Sequence, residues 1–294
     1  MKRESSLVGD SWLADFLQDG AGVLRGVVPA TWITRMSSAI DGVLQHESPL
    51  AMNLAPKTTG AYFNDLFLWR SNEAFRAFVF DSPLPELASQ ILGSTEVRLL
   101  YDQLFVMEPG GKTGTPWHQD LPYWPIRGPD VISIWVPFDS VSPENGVVSY
   151  VKGSHRWNKL IRPASPRLAA AGVVDDVSAS DKRVDFDPTD ESLQFLKWNL
   201  EPGDVLVHDG LTVHGAPANT TRDRRRRALA VRFVGPQTRY DPRPGTWIHD
   251  RKVRAYLPLP DLAAGDPLGG ELFPQVWPSD RNRGQPMEDR AIGT

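Results

Sequence analysis

The tetrapeptide Trp117-His118-Gln119-Asp120 is the stretch that says most about the fold. Residues at i and i+2 of a β-strand point to the same face, so an extended segment here would direct the imidazole of His118 and the carboxylate of Asp120 to a common point. A second imidazole can join them from Val213-His214-Gly215. Two histidines and one carboxylate on one face, with the opposite positions open, form the ligand set of non-haem Fe(II) oxygenases. The pattern therefore predicts an iron site carried by β-strands.

Each part of this pattern has a plainer alternative. Pro116 and Pro122 flank the His-x-Asp pair, and most such pairs in proteins lie in turns and bind no metal. The aromatic pair Tyr123-Trp124 favours a metal site, because it would surround polar ligands with an apolar shell. A single histidine such as His214 is more often satisfied near a turn. It follows a turn, a strand and a second turn over Glu201–Gly210, which would present it at the mouth of a barrel.

The composition is that of an ordinary globular protein. The chain has 294 residues, of which 40% are hydrophobic and 23% charged, enough for one large β-rich domain or two small ones. A net charge of −4 gives no reason to expect nucleic acid or an anionic membrane as partner. The absence of cysteine excludes disulfides and thiolate metal sites. No signal-peptide core or membrane-spanning run is visible, so we expect a cytoplasmic protein.

Helical patterns are concentrated in a layer predicted over residues 10–95. The predicted helices are Asp10–Leu17, Ala30–Leu44, Asn72–Phe80 and Pro83–Leu92, and in the second of them apolar residues recur at intervals of roughly three and four. Thr31 and Asn72 are the expected N-caps of the second and third helices.

Strand patterns predominate from Val97 onward. The predicted strands are Val97–Met107, Pro116–Asp120, Val131–Phe138, Val147–Val151, Phe195–Asn199, Asp204–Asp209 and Ala228–Val234. Short strands separated by glycine and proline predict an antiparallel sandwich or barrel over residues 97–235. We interpret 162–192 as an insertion, either a lid or a loop, and expect the tryptophan-containing segment 236–294 to wrap onto the barrel. The chain, 1–294, is predicted to form a single domain.

The arginine-rich segment 222–227 has two interpretations. Most of its arginines are expected to form a solvated charge cluster. From Arg226 onward, however, the residues alternate between a face of small residues that begins with Arg226 and a face of large apolar ones. A guanidinium in that position can bind a ligand carboxylate through two parallel hydrogen bonds. The choice of Arg226 depends on which alternate residues of the strand share a face, and a shift of one residue in this alternation would select Arg225 instead.

The sequence motifs of several other enzyme classes are absent, which disfavours a Ser-His-Asp hydrolase in particular. The chain lacks a Gly-x-Ser-x-Gly nucleophile elbow, a P-loop and a dinucleotide-binding glycine fingerprint. His155 is expected to brace a turn after Gly153-Ser154. His208 could lie next to the metal ligands, but a packing role is favoured.

Several motifs in order resemble the phytanoyl-CoA dioxygenase family of Fe(II)/2-oxoglutarate oxygenases, from about Phe16 to Phe233. The family's His-Gln-Asp box is similar to His118-Gln119-Asp120. Its other motifs are similar to Ile134-Trp135-Val136, Glu144-Asn145-Gly146, Lys152-Gly153-Ser154-His155, Pro202-Gly203-Asp204 and His214-Gly215. The resemblance implies a mainly β (α+β) fold, with a double-stranded β-helix (jelly-roll) core and N-terminal helices packed outside.

The resemblance also implies the chemistry. His118, Asp120 and His214 would bind Fe(II), and the co-substrates would be 2-oxoglutarate and O2. The far carboxylate of 2-oxoglutarate would pair with Arg226 or Arg225, and Gln103 would be a further hydrogen-bond partner. The expected reaction is hydroxylation of an unactivated C–H bond of a small molecule, with release of succinate and CO2.

The residues expected to face the substrate are aromatic, although each could be ordinary core: Trp124, Tyr123, Phe63 and Trp135. Halogenation is disfavoured, because halogenating relatives replace the carboxylate that is present here as Asp120. No pattern specifies an oligomeric state.

Three alternatives stay open at this point. The same site can end in desaturation, cyclisation or epimerisation. A cupin-like metal enzyme that is not an oxidase, such as an isomerase, would not need Arg226. A non-catalytic binding module would have lost the ability to bind Fe(II).

Overall fold

The computed structural model of the protein describes residues 6–55, 61–159 and 186–278. Most of the predicted insertion at 162–192 lies outside the described residues, as does the end of the predicted C-terminal wrap.

Six α-helices are formed within the described residues, and four of them match the predicted segments. Their bounds are α1 Asp10–Asp19, α2 Ala30–Gln45, α3 Leu68–Ser71, α4 Glu73–Asp81, α5 Leu84–Leu92 and α6 Arg251–Tyr256. Asn72 caps α4 as predicted, because its side-chain oxygen accepts hydrogen bonds from the backbone N–H groups of Ala74 and Phe75. The predicted cap Thr31 is wrong, since α2 begins at Ala30 and Pro29 precedes it in extended geometry.

The strands form two main antiparallel sheets and one short pair. Their bounds are β1 Ala21–Leu24, β2 Met52–Asn53, β3 Tyr62–Leu66, β4 Val97–Met107, β5 Thr115–His118, β6 Ile126–Arg127, β7 Val131–Pro137, β8 Ser149–Val151, β9 Phe195–Leu196, β10 Val205–Asp209, β11 His214–Ala216, β12 Arg226–Val234, β13 Arg239–Tyr240 and β14 Gln275–Trp277. The large sheet has the order β1-β10-β7-β12-β4-β3-β2, and β14 also pairs with β4. The small sheet has the order β5-β11-β8-β9, and β13 pairs with β6.

The two faces of the large sheet pack against different partners. Its outer face meets the N-terminal helices in an apolar core whose fully buried members include Met36, Phe75, Phe78, Leu104 and Leu229. Each such side chain contributes about 1.5–3 kcal/mol by leaving water. Its inner face turns toward the small sheet, where a second core contains Trp135, Tyr150, Ala228 and Ala230. Side chains alternate between these faces along every strand, so parity decides which residues reach the space between the sheets.

The N-terminal layer is not purely helical. β1, β2 and β3 lie between its helices in sequence and join the large sheet at its two ends. β3 pairs with β4 and so forms part of the wall of the inner space.

The segment after β12 returns to the body of the protein. Trp247, Ile248, Leu272 and Phe273 share an apolar cluster with Trp124 and Tyr101. No helix among the described residues is long and apolar enough to cross a bilayer.

Candidate metal centre

His118 and His214 face each other across neighbouring strands of the small sheet. They are directly paired in the antiparallel register of β5 and β11, and their ring centroids are 4.2 Å apart. Directly opposite residues on antiparallel strands have the closest side chains in a sheet, which explains why two residues so distant in sequence meet.

Asp120 reaches the same point by a route that differs from the prediction. β5 ends at His118, and Asp120 has helical backbone geometry at the start of a 3-10 turn over Leu121–Tyr123. The N–H groups of Asp120 and Leu121 both donate to the carbonyl of Gly210, at 3.1 and 2.8 Å, and this ends the strand. The expectation that His118 and Asp120 share one face of one strand is therefore wrong, although the turn still directs the carboxylate to His118.

The three side chains form a compact donor set. One ligand atom from each of His118, Asp120 and His214 lies within 4.8 Å of the other two, which is close enough to hold one metal ion. Asp120 Oδ1 is 3.5 Å from His118 Nε2. Asp120 and His214 are buried and His118 is partly exposed, so the donor set is open on one side.

Backbone carbonyls fix both rings. His118 Nδ1 is 2.8 Å from the carbonyl oxygen of Pro116, and His214 Nδ1 is 2.9 Å from that of Thr212. A carbonyl oxygen can only accept, so each Nδ1 carries the proton and donates it. Each Nε2 of the neutral ring is then a lone-pair donor for a metal, in the arrangement that metal-binding histidines usually show.

The second oxygen of Asp120 is held from behind by two residues that the sequence analysis did not assign to the site. Oδ2 is 3.3 Å from His208 Nε2 and 3.8 Å from a terminal nitrogen of Arg232. Burial acts to raise the pKa of Asp120, but the charge of Arg232 and the contacts with His118 and His208 outweigh it and hold this pKa well below its usual range. Asp120 is therefore ionised, as a metal ligand must be.

The His214 ring is held in its neutral form. Burial lowers its pKa well below the usual value, and the neighbouring rings of His118 and His208 act in the same direction. Since a protonated imidazole cannot coordinate, this environment keeps His214 ready for a metal near neutral pH.

A cavity between the sheets leads from the donor set to Arg226. The Arg226 side chain is 1% exposed and lines this cavity. Its guanidinium stacks on Trp135 at 5.4 Å and contacts Met107 Sδ, and its Nε has no hydrogen-bond partner among the described residues. Burial lowers the pKa of Arg226, and the neighbouring hydroxyl of Tyr62 opposes this shift.

The predicted site residues divide into those that reach the cavity and those that do not. Gln103, Tyr123, Trp124 and Trp135 line it. Arg225 does not, because it is exposed and pairs with Glu108 at 2.8 Å.

Phe63 is wrongly predicted to face the substrate. Tyr62, Asn64 and Leu66 of β3 line the cavity, and alternation therefore turns Phe63 outward into the core beneath the helices.

Tyr62 and Thr115 form a polar contact that the sequence analysis missed. Their hydroxyls are 2.7 Å apart and both residues line the cavity near Arg226. The two residues come from different sheets, so only the sheet pairing brings them together, and no local sequence pattern signals it.

Comparison with known proteins identifies the family. The sequence model of the phytanoyl-CoA dioxygenase (PhyH) family matches residues 16–228. Among curated proteins, the multifunctional dioxygenase ausE of Emericella nidulans is 25% identical over 242 residues, which cover 78% of this chain and 74% of that protein.

Solved structures show the same fold. The non-heme alpha ketoglutarate dependent epimerase SnoN from nogalamycin biosynthesis superposes with a TM-score of 0.71 at 21% identity, over 94% of this chain and 98% of that one. SnoN is also known in complex with Fe3+, alpha ketoglutarate and nogalamycin RO. The carbocyclase SnoK from the same biosynthesis gives a TM-score of 0.70 at 22% identity, over 92% of this chain and 96% of that one. The predicted jelly-roll core is confirmed, and with a sequence match over most of its length the chain belongs to the phytanoyl-CoA dioxygenase family.

Proposed function

We propose that this protein is an Fe(II)- and 2-oxoglutarate-dependent dioxygenase that hydroxylates an unactivated C–H bond of a small molecule and releases succinate and CO2. The observation that carries the proposal is the donor set itself, in which two imidazole nitrogens and one carboxylate oxygen lie within 4.8 Å of one another. Family membership and the dioxygenase name of a curated relative support the same reaction class.

The donor chemistry fits ferrous iron. His118, Asp120 and His214 supply two imidazole nitrogens and one carboxylate oxygen, which is the facial triad of non-haem Fe(II) oxygenases. His208 and Arg232 hold the free oxygen of Asp120, and the carbonyls of Pro116 and Thr212 hold the two rings. When bound, iron with 2-oxoglutarate supplies the oxidising power, through oxidative decarboxylation of the oxoacid by O2.

The cavity also fits a dicarboxylic oxoacid. Arg226 is a buried cation whose Nε lacks a partner among the described residues, and a buried charge without a counter-ion is costly. A ligand carboxylate would supply that counter-ion through two parallel hydrogen bonds. The hydroxyls of Tyr62 and Thr115 and the amide of Gln103 offer further hydrogen bonds along the wall. We assign co-substrate binding to Arg226 and not to Arg225.

The remaining wall serves the substrate. Tyr123, Trp124 and Trp135 line the cavity together with other aromatic side chains. Such a wall excludes water from the reacting centre and favours a substrate with an apolar body.

A second candidate reaction uses the same site but ends differently. SnoN is an epimerase and SnoK a carbocyclase, and both are structural neighbours of this chain. Cyclisation and desaturation consume 2-oxoglutarate and O2 as hydroxylation does, and epimerisation, which leaves the oxidation state of the substrate unchanged, also consumes an external reductant. Product analysis by mass spectrometry distinguishes them, because only hydroxylation adds one oxygen atom to the substrate.

The proposal is tested by loading the protein anaerobically with Fe(II) and 2-oxoglutarate and then admitting O2 with a panel of small molecules. We expect succinate formation that requires iron and rises with the right substrate. Substrate turnover without succinate would instead indicate a non-oxidative metal enzyme. Failure to bind Fe(II) would indicate a binding module and would overturn the proposal.

A further inference from the structure

Arg232 is a second buried arginine in the cavity, at its metal end. Its side chain is 4% exposed, and it lines the cavity beside Asp120 and His208. One terminal nitrogen donates to the carbonyl of Ala230 at 3.3 Å, and another is 3.8 Å from Asp120 Oδ2. The guanidinium lies 4.6 Å from the ring centroid of Tyr101, which restricts its orientation. A planar, fixed guanidinium of this kind is suited to binding a carboxylate.

Three buried polar atoms without a hydrogen-bond partner belong to residues that are neighbours in the large sheet, and one of these atoms is part of the guanidinium itself. They are Nε of Arg232, Oγ of Ser133 and Nδ1 of His208, and none has a partner among the described residues. Ser133 is paired with His208 on one side and with Arg232 on the other in the sheet register. Since buried polar groups are nearly always hydrogen-bonded, such a row indicates a place where a polar ligand group or ordered water binds.

If the proposed function holds, the charges of the loaded site leave Arg232 without a counter-ion of its own, because it shares Asp120 with the metal. The two charges of a ferrous ion are balanced by Asp120 and one carboxylate of 2-oxoglutarate. Arg226 is balanced by the other carboxylate. Once Asp120 is engaged with the metal, Arg232 is the remaining uncompensated cation among the described residues that line the cavity. An unpaired charge is far more costly in a buried cavity than in water.

Asp102 is only a weak counter-ion for Arg232, since the charge of Arg232 is the smallest of the influences that lower the pKa of Asp102 and burial outweighs them. It precedes Gln103 on β4 and therefore points to the opposite face of the sheet, where it accepts a hydrogen bond from the backbone N–H of Trp69 at 3.1 Å. Burial raises the pKa of Asp102 to about 7, so a large share of it is uncharged at neutral pH.

The same molecule of 2-oxoglutarate cannot place its far carboxylate on both arginines. Arg226 and Arg232 are six residues apart on one face of β12, and their backbones are therefore about 20 Å apart at the usual rise of a strand. The two guanidinium groups mark opposite ends of the cavity. One end is assigned to the oxoacid, and the other is left for a different anion.

We propose that Arg232 binds a carboxylate of the substrate, and that the substrates of this enzyme are small carboxylic acids with an apolar body. This inference rests on the proposed function. The apolar body is matched by the aromatic side chains that surround Arg232, which are Tyr101, Phe105 and Trp124. The substrate carboxylate thereby orients the rest of the molecule toward the metal.

The experiment measures ligand binding and not turnover. Protein loaded anaerobically with Mn(II) and 2-oxoglutarate is titrated with aryl and cycloalkyl carboxylic acids, each paired with its own primary amide, which has nearly the same shape but no charge. We expect at least one acid to bind about tenfold or more tightly than its amide, as a charge-assisted hydrogen-bond pair predicts. Arg232→Gln should abolish this preference, and Arg232→Lys should keep part of it. Arg222→Gln, which removes an exposed arginine, should leave it unchanged.

The affinity for 2-oxoglutarate distinguishes the possible failures. If the wild type does not bind 2-oxoglutarate, the proposed function itself fails. If Arg232→Gln weakens 2-oxoglutarate binding and leaves the preference for acids intact, the anion on Arg232 belongs to the oxoacid and the inference is overturned. It is equally overturned if no acid binds better than its amide in the wild type. Retained 2-oxoglutarate binding in Arg232→Gln also shows that the variant is folded.

Discussion

His118 and His214 each donate a ring hydrogen to the backbone carbonyl two residues earlier in the chain, at 2.8 and 2.9 Å. The two rings are thus fixed in the same way although they lie on different strands. Because the Nδ1 atom of each ring is engaged by a carbonyl, removal of either ring would delete one proposed metal ligand and only a hydrogen bond to the backbone besides.

Removal of one ligand should abolish activity. We expect His118→Ala and Asp120→Ala to lose Fe(II)-dependent succinate formation, because two remaining ligands cannot hold the ion in the required geometry. The measurement is succinate formed per enzyme at saturating 2-oxoglutarate, with Arg222→Gln as the surface control. Full activity in either ligand variant would refute the assignment of the metal centre.

Arg226 and Arg225 should differ sharply in their effect on the co-substrate. Arg226→Ala should raise the half-saturating concentration of 2-oxoglutarate by about tenfold to a hundredfold, since a buried charge-assisted pair is lost. Arg225→Ala removes an exposed arginine that pairs with Glu108 and should change this concentration little. A larger effect of Arg225→Ala than of Arg226→Ala would mean that Arg225 is the arginine that binds 2-oxoglutarate, one residue away from the assignment made here.

His208 should contribute to metal affinity through Asp120. His208→Phe keeps a ring of similar shape but removes the hydrogen bond to Asp120 Oδ2, and we expect metal affinity to fall about 10–100-fold. His208→Gln should restore part of it. The readout is an anaerobic Co(II) titration followed by visible absorption, and the control is His46→Gln at an exposed position. Equal affinity in the Phe variant and the wild type would leave His208 a packing residue.

Replacement of Gly146 by alanine should displace the Arg226 side chain and so raise the concentration of 2-oxoglutarate that the enzyme requires. A Cβ at this position would lie 2.8 Å from Met107 Sδ and 3.4 Å from a terminal nitrogen of Arg226, and its φ of +96° favours glycine. Gly110 has a similar φ of +73° but no atom within 4 Å of such a Cβ. We expect both alanine variants to lose about 1–3 kcal/mol of stability in urea titrations. Only Gly146→Ala should also raise the 2-oxoglutarate requirement, and a parallel rise in Gly110→Ala would point to a general loss of structure.

Asp102 should make stability depend on pH. Burial raises its pKa to about 7 in the folded chain, against about 4 when unfolded, so the folded state binds more protons between these values. The contribution of Asp102 therefore becomes less favourable as the pH rises from about 4 to 7. Asp102→Asn should gain stability relative to the wild type at pH 8 compared with pH 5, measured by urea unfolding. The exposed control Asp15→Asn should show no such difference, and an identical pH profile in Asp102→Asn would contradict this account.

Much of the fold was predictable because its signals are local. The span Val97–Met107 is predicted and found without change, since its β-forming residues run between clear turn signals. The N-cap at Asn72 was predictable for the same reason, because it needs only the Asn72 side chain and the backbone N–H groups of Ala74 and Phe75. The convergence of His118, Asp120 and His214 was predicted from residue type and family resemblance, but the path of Asp120 was not. It depends on the carbonyl of Gly210, which no pattern near Asp120 encodes.

The errors concern strand parity and long-range pairing. All five residues of β3 are buried, so no polar face shows which of Tyr62 and Phe63 turns inward. β10 has the same ambiguity, and His208 is found on the inner face against the packing role that was favoured. Arg226 was assignable because the small residues Ala228 and Ala230 mark its face. Parity is readable from sequence only where the two faces differ in chemistry.

The carbonyl groups that hold His118 and His214 have one more consequence. They orient ring nitrogens that, with one carboxylate oxygen, bind divalent ions in a general order of affinity in which cobalt, nickel and copper stand above iron. The types of donor atom therefore do not by themselves select iron, and the supply of ferrous iron around the protein helps to decide how much of it carries that ion.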